Sequence, residues 1–123
     1  MDEANFANAP DGGALRTLPG GLVIVRRKKH EWIESVHKMR HEKLRVFTDK
    51  VFGSKFVRAW DLARVTNWIE EQALAVNWTR ELQEPKSIVV RLPEIVGVAD
   101  GERVHTIRMV CDVRYLHAYP VED

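Results

Sequence analysis

The sequence contains one cysteine and no long hydrophobic run, and these two absences exclude several classes of protein. Cys111 is the only cysteine among the 123 residues, so no disulfide bond can form within the chain. No apolar run approaches the roughly 20 residues that a membrane-spanning helix needs. The first residues, Met1-Asp2-Glu3, lack the basic and then apolar pattern of a secretory signal. We therefore expect a cytoplasmic protein that does not enter a membrane.

Recognisable catalytic motifs are also missing. The sequence has no glycine-rich phosphate loop, no nucleophile elbow and no Cys-x-x-Cys pair. Cys111 falls on the apolar face of a predicted strand, where a thiol is usually unreactive. His105 and His117 are 12 residues apart on the same predicted strand, too distant to act together directly. The sequence therefore predicts no catalytic residue and no cofactor.

The composition is that of an ordinary soluble domain. Hydrophobic residues make up 45% of the chain and charged residues 30%. Residues 1–20 are rich in Ala, Asn, Asp, Gly and Pro and show no periodicity, which predicts a flexible N-terminal arm. Residues 21–123 predict a single domain.

Two long stretches show the spacing of apolar residues that is typical of helices. Residues 30–51 predict a first helix, which ends before Gly53-Ser54. Residues 56–83 predict a second helix, which ends before Pro85 and has a break near Thr66-Asn67. The second helix is apolar over more than half of its circumference. It is therefore either central in the fold or covered by a partner subunit.

Short β-rich runs lie on both sides of these helices. Residues 22–25 predict one strand, and residues 87–119 predict several more. Asp100-Gly101 between two such runs indicates a β-hairpin with a two-residue type I′ turn. The outgoing strand alternates cleanly, and its predicted core face consists of Ile107, Met109, Cys111, Val113 and Tyr115.

The order β-α-α-β-β-β predicts an α+β fold, with two helices packed on a small, mostly antiparallel sheet and a C-terminal β-hairpin. Such a sheet has exposed edge strands, which can pair with the same strand of a second chain. The pattern therefore favours a symmetric homodimer.

The formal net charge of +1 conceals an asymmetry. Between Arg26 and Arg45, eight basic and three acidic residues give a local charge of +5, which leaves −4 for the rest of the chain. We call these eight residues the basic surface: Arg26, Arg27, Lys28, Lys29, Lys38, Arg40, Lys43 and Arg45. A local concentration of positive charge on a nearly neutral protein predicts an anionic partner, either nucleic acid or an acidic protein surface.

His30, Glu34, His37 and His41 share one face of the first predicted helix. Glu34, His37 and His41 are close enough in sequence to ligate one metal ion such as zinc, whereas His30 is too far along the helix. The neighbouring cations Lys38 and Arg45 oppose a bound dication. A solvated helix face and a contact with an anion through protonated histidines are therefore the alternatives to a metal site.

Tryptophan is frequent, with four in the chain. Trp60, Arg64, Trp68 and Trp78 lie on one broad side of the second predicted helix. They form either a subunit interface or a surface that stacks nucleic-acid bases, with Arg64 as a cation–π partner. The alternative is ordinary core packing.

These observations favour a small non-catalytic binding protein that engages its partner through the basic surface. Chains of this size without catalytic motifs are often inhibitors or regulators of larger assemblies, including those carried by phages and mobile elements. Two alternatives remain, a small metal-dependent or nucleotide-processing enzyme built on Glu34, His37 and His41, and a structural assembly subunit. A winged helix-turn-helix is disfavoured, because the predicted hairpin strands are too long for a wing.

Overall fold

The computed structural model of the protein describes residues 13–32 and 38–123. In chain order their elements are β1 (Ala14–Thr17), β2 (Val23–Val25), a 3-10 helix (Lys28–His30), α1 (His41–Phe47), β3 (Lys55–Phe56), α2 (Leu62–Ala75), β4 (Ser87–Arg91), β5 (Gly97–Ala99), β6 (Glu102–Val104), β7 (Thr106–Asp112) and β8 (Tyr115–Val121). The predicted α+β class is confirmed. Within these two ranges, neither α-helix has the length and apolar character needed to cross a bilayer.

The strands form two sheets. The larger sheet has the order β1-β2-β8-β7-β4, and the smaller has the order β3-β5-β6. All neighbouring strands are antiparallel except β2 and β8, which run parallel with Val23 opposite Tyr115. The sheet is therefore mostly antiparallel, as predicted, but a parallel pair joins its two antiparallel parts.

Two tight hairpins build the C-terminal half. Asp100 and Gly101 have φ angles of 50° and 80°, so the predicted type I′ turn between β5 and β6 is confirmed. Val113 has a φ of 60° and lies in a second turn, between β7 and β8. The single long strand expected after residue 102 is therefore wrong. The chain is divided among β6, β7 and β8, and Val113 is exposed rather than on the core face.

Helix α2 is shorter than predicted. The Asp61 side chain accepts a hydrogen bond from the Arg64 backbone N–H and so caps the first turn. Asn77, with a φ of 59°, lies just beyond the last turn in the left-handed conformation that ends many helices. The predicted break near Thr66-Asn67 is absent, since α2 continues through both residues, and the Thr66 hydroxyl donates to the Leu62 carbonyl one turn earlier.

The first predicted helix differs most from the structure. In the described part of residues 30–51, the chain forms the 3-10 helix, becomes extended at Glu31 with φ −80° and ψ 151°, and is α-helical only in α1. Residues 33–37 of that prediction lie outside the described residues. At the N-terminal side, β1 pairs with β2, so part of the predicted arm belongs to the sheet. Residues 1–12 of the arm also lie outside the described residues.

The core lies between α2 and one face of the larger sheet. Ile24, Ile107, Met109 and Leu116 are fully buried there, and Trp68 of α2 packs in the same cluster. Because side chains alternate along a strand, the residues next to these lie on the opposite face of the sheet. We call that face the outer face. It carries Val89, Arg108, His117 and Tyr119.

The smaller sheet packs against β8 at Gly97. An added Cβ on Gly97 would lie 2.5 Å from the Lys55 carbonyl oxygen and would also overlap the Pro120 ring. Thr48 holds the hairpin tip of this sheet, because its hydroxyl accepts from the Gly101 N–H at 2.8 Å and donates to the Leu44 carbonyl at 2.7 Å. These contacts fix the smaller sheet beside the outer face.

Candidate functional site

Three side chains lie between two cavities, one next to α2 and one on the outer face of the larger sheet. Arg27, His30 and His117 line both a cavity of about 250 Å³, here called the inner cavity, and an open groove of about 800 Å³, here called the outer groove. The parallel pairing of β2 with β8 explains their proximity. It directs the chain after β2 past the residues of β8, so the 3-10 helix brings His30 next to His117.

Tyr119 lies between the two histidines. Its ring stacks on His30 with centroids 5.0 Å apart and on His117 with centroids 5.9 Å apart. The Nδ1 of His30 lies 2.7 Å from the Ser54 carbonyl oxygen. A carbonyl can only accept, so Nδ1 carries the proton of the neutral ring and Nε2 is unprotonated. The His30 ring is therefore held in one tautomer and one orientation within the stack.

Both histidines are neutral at pH 7. Burial lowers the pKa of His30 to about 4, and the nearby charges of Lys29 and Lys55 act in the same direction. Burial also lowers the pKa of His117 to about 4, assisted by Arg27. His30 therefore cannot add positive charge to an anion contact at neutral pH, which corrects that alternative for this residue.

The inner cavity has a polar side and an apolar side. Arg27, Trp60 and His117 supply polar atoms, and α2 and the first two strands supply apolar walls. The apolar lining residues are Leu15, Val25, Phe56, Leu62, Val65, Ile69 and Ala118. Arg26 is committed within the chain, since its Nε and Nη2 donate to the two Glu31 carboxylate oxygens at 2.5 and 2.7 Å. Because Arg26 is held in this bidentate ion pair, Arg27 is the more available cation of the two arginines.

The outer groove is more open and carries charges of both signs. Its cations are Arg27, Lys29, Lys50 and Arg108. Three carboxylates, those of Asp49, Asp100 and Glu122, also line the groove. The Asp49 carboxylate accepts from the backbone N–H groups of Val51 and Phe52, so it stabilises the loop after α1.

The basic surface divides into two parts. Arg26 and Arg27 are half-buried at the inner cavity, whereas the other six residues are exposed on the 3-10 helix and on α1 or just before it. Lys29 reaches the outer groove, and Lys38, Arg40 and Lys43 line a shallow depression on α1. The predicted binding residues therefore do not share one cavity: Arg26 and Arg27 line the inner cavity, and Lys38, Arg40 and Lys43 line a separate depression.

The predicted metal site cannot be assembled from the described residues. Glu34 and His37 lie outside them, and His41 is exposed, with its Nε2 3.4 Å from a Glu102 carboxylate oxygen. Within residues 13–32 and 38–123, no group of three His, Cys, Asp or Glu side chains could hold a metal ion. The metal site stays a prediction from the sequence.

The tryptophans belong to the core. Trp60, Trp68 and Trp78 are 3%, 8% and 7% exposed, so their rings are unavailable for stacking bases or binding a second subunit. This finding corrects the interface prediction for these three residues. The predicted cation–π contact is present, with the Arg64 guanidinium 4.0 Å from the Trp60 ring centroid. Cys111 is buried, and burial raises its thiol pKa to about 11, in keeping with an unreactive thiol.

Sequence reasoning did not find the partnership of His30 with His117 and Tyr119. The two segments are far apart in the chain, and only the parallel β2–β8 pairing brings them together. The alternation of Tyr115, His117 and Tyr119 was the available signal, since it places three polar-tipped rings on one face of a strand.

No family model, no curated protein and no solved structure matches this chain. Function therefore has to follow from the side chains themselves.

Proposed function

We propose that this protein is a small, non-catalytic cytoplasmic binding protein that engages an anionic partner through the basic surface and the adjoining outer groove. A role as an inhibitor or regulator of a larger assembly suits this activity. The partner is nucleic acid or an acidic protein surface, and the aromatic rings beside the basic surface favour nucleic acid.

The exposed cations of the basic surface carry the proposal. Lys29, Lys38, Arg40, Lys43 and Arg45 form no ion pair within the described residues, and all five are exposed. In other parts of the chain, three arginines are paired with carboxylates: Arg16 with Glu70, Arg64 with Glu94 and Arg91 with Asp123. Clustered cations without internal partners keep their charge available for an external anion.

Aromatic rings beside these cations favour single-stranded nucleic acid over an acidic protein. The Phe52 ring is 52% exposed and stacks with Phe47 at the end of α1, 6.4 Å between centroids. Proteins that bind single strands combine a positively charged surface with aromatic rings on which bases stack.

Reversing three exposed cations tests this proposal. The variant K29E/K43E/R45E is expected to weaken binding of a fluorescein-labelled single strand of about 20 nucleotides at least tenfold, and to reduce the salt dependence by about two ions. Fluorescence anisotropy at several salt concentrations measures both effects. The matched control is R80E/K86E/R103E, which reverses the same number of exposed cations elsewhere. It is expected to change the affinity less than about threefold.

Three outcomes would contradict the nucleic-acid proposal. They are no binding of either single or double strands at low salt, equal loss in both triple variants, and salt-independent binding. If polyglutamate binds in place of the oligonucleotides and only K29E/K43E/R45E loses it, the partner is an acidic protein surface.

We also propose that the protein is a homodimer that pairs through the edge of the larger sheet. Strand β4 is an edge strand, and its Val89 side chain is 54% exposed. Light scattering is expected to give twice the chain mass of 14.2 kDa, and Val89→Lys should return the monomer mass. Leu82→Lys, which changes another exposed residue away from the strands, serves as the control. A monomer at every concentration, or a dimer unaffected by Val89→Lys, would contradict this proposal.

A further inference from the structure

Buried polar atoms without partners are concentrated at the inner cavity. Five buried side-chain nitrogens of the described residues have no hydrogen-bond partner. Three of them, Arg27 Nε, Trp60 Nε1 and His117 Nδ1, belong to residues that line the inner cavity, whereas those of Trp78 and Arg114 do not. Because buried polar groups in folded proteins are nearly always hydrogen-bonded, such a concentration indicates a site built to be completed by a ligand.

The unpartnered atoms define the ligand's polar group. The guanidinium of Arg27 and the indole N–H of Trp60 are donors without acceptor capacity, and the Trp60 side chain is only 3% exposed. Both therefore require acceptor atoms, and the charge of Arg27 favours an anion. Nearby carboxylates do not meet this need, because Glu31 is paired with Arg26 and Asp61 caps α2. A planar carboxylate matches an arginine best, because its two oxygens accept from two parallel N–H groups.

The other walls define the ligand's body. Leu15, Val25, Val65 and Ile69 give the inner cavity an apolar side. Its volume of about 250 Å³ exceeds the roughly 150 Å³ of an engineered apolar cavity that takes up benzene. One ring together with a carboxylate therefore fits this space, whereas a nucleotide is too large.

We propose that the inner cavity binds a small organic carboxylate with an apolar body of about one ring, its carboxylate held by Arg27 with the Trp60 N–H as a second donor. This site shares Arg27 with the basic surface, but K29E/K43E/R45E leaves Arg27 unchanged, so the two proposals can fail separately. Sites of this kind combine mostly apolar walls with a few polar groups that fix the orientation of the ligand.

The Trp60 indole N–H provides a direct readout of this site. Benzoate titrated into ¹⁵N-labelled protein is expected to shift the Trp60 indole resonance saturably, with a dissociation constant of about 1 mM or tighter. Trp68 and Trp78 do not line the inner cavity and are internal controls. Benzyl alcohol, which has the ring without the charge, and acetate, which has the charge without the ring, should each bind at least about tenfold more weakly.

Arg27→Met is expected to weaken benzoate binding at least about tenfold and to leave benzyl alcohol binding unchanged. Arg108→Met is the matched control, since Arg108 lines only the outer groove, and it should leave benzoate binding intact. If Arg27→Met does not fold, Arg27→Lys is measured in its place, and a loss of at least about threefold is expected because lysine lacks the planar fork. No saturable shift with benzoate, or equal benzoate affinity in a folded Arg27 variant, would overturn the proposal.

Discussion

Gly97→Ala is expected to lower the free energy of unfolding by more than about 3 kcal/mol, because the added methyl group has no space. It would overlap the Pro120 ring and come within 2.5 Å of the Lys55 carbonyl oxygen. A backbone oxygen in a strand cannot move aside as the end of a flexible side chain can. The smaller sheet would therefore have to separate from β8. Urea unfolding followed by tryptophan fluorescence measures the loss.

Gly20→Ala is the matched control for this prediction. Gly20 has a φ of 95°, and an added Cβ would meet no atom within 4 Å. It therefore reports the cost of backbone strain without crowding, about 1–2 kcal/mol. A loss in Gly97→Ala no greater than that in Gly20→Ala would contradict the packing described for the two sheets.

Stability is expected to fall by about 4 kcal/mol between about pH 7.5 and pH 5, because His30 and His117 remain neutral in the folded protein. Their pKa values are about 4 when folded, against 6.5 for an ordinary histidine. In this pH range the unfolded chain takes up protons that the folded chain does not bind, so acidification favours unfolding. The effect begins near pH 7.5 and is complete only below about pH 4, and each histidine contributes about 2 kcal/mol by pH 5.

Urea unfolding at about pH 7.5, 6.5, 5.5 and 5 measures this dependence. His117→Gln is expected to remove about half of it, since glutamine does not titrate. His41→Gln is the control, because His41 is exposed and lies on α1 away from the ring stack. A pH dependence that is the same in wild type and His117→Gln would show that the histidine is not held neutral by the fold.

Local patterns in the sequence predicted the parts of the fold that local physics determines. The Asp100-Gly101 turn follows from the positive φ angles that a type I′ turn needs. The core face of β7 follows from alternation, and Ile107, Met109 and Cys111 are all buried as expected. The apolar residues at helical spacing likewise mark α2, although its ends were placed too far out on both sides and the Asp61 cap was missed.

Features that depend on distant contacts were missed. The periodicity of residues 30–51 suggested one helix, yet the chain is extended at Glu31, where the Arg26–Glu31 ion pair closes one side of the inner cavity. A φ of 60° is uncommon for a β-branched residue such as Val113. The sequence therefore did not predict the turn between β7 and β8. In both places tertiary structure outweighs the local preference.

The candidate site was predicted in part for the same reason. The basic residues between Arg26 and Arg45 form a cluster of positive charge in the sequence, and six of the eight are exposed in the structure. The cavities are not visible in the sequence, because their common wall combines Arg27 and His30 with His117 from the other end of the chain. The pattern of charges in the sequence thus predicts where the basic surface lies, whereas the cavities can be predicted only when the order of the strands in the sheet is known.

The parallel pairing of β2 with β8 also determines the order in which the protein can fold. Val23 pairs with Tyr115, which is 92 residues further along the chain, whereas each hairpin closes over only a few residues. Closing so long a loop has a large entropic cost and is slow compared with hairpin formation. During synthesis the β1–β2 hairpin must therefore wait for β8, and the wall shared by the two cavities is completed only in this last step. Binding competence should appear together with the slowest phase of refolding, not with the early formation of the β7–β8 hairpin.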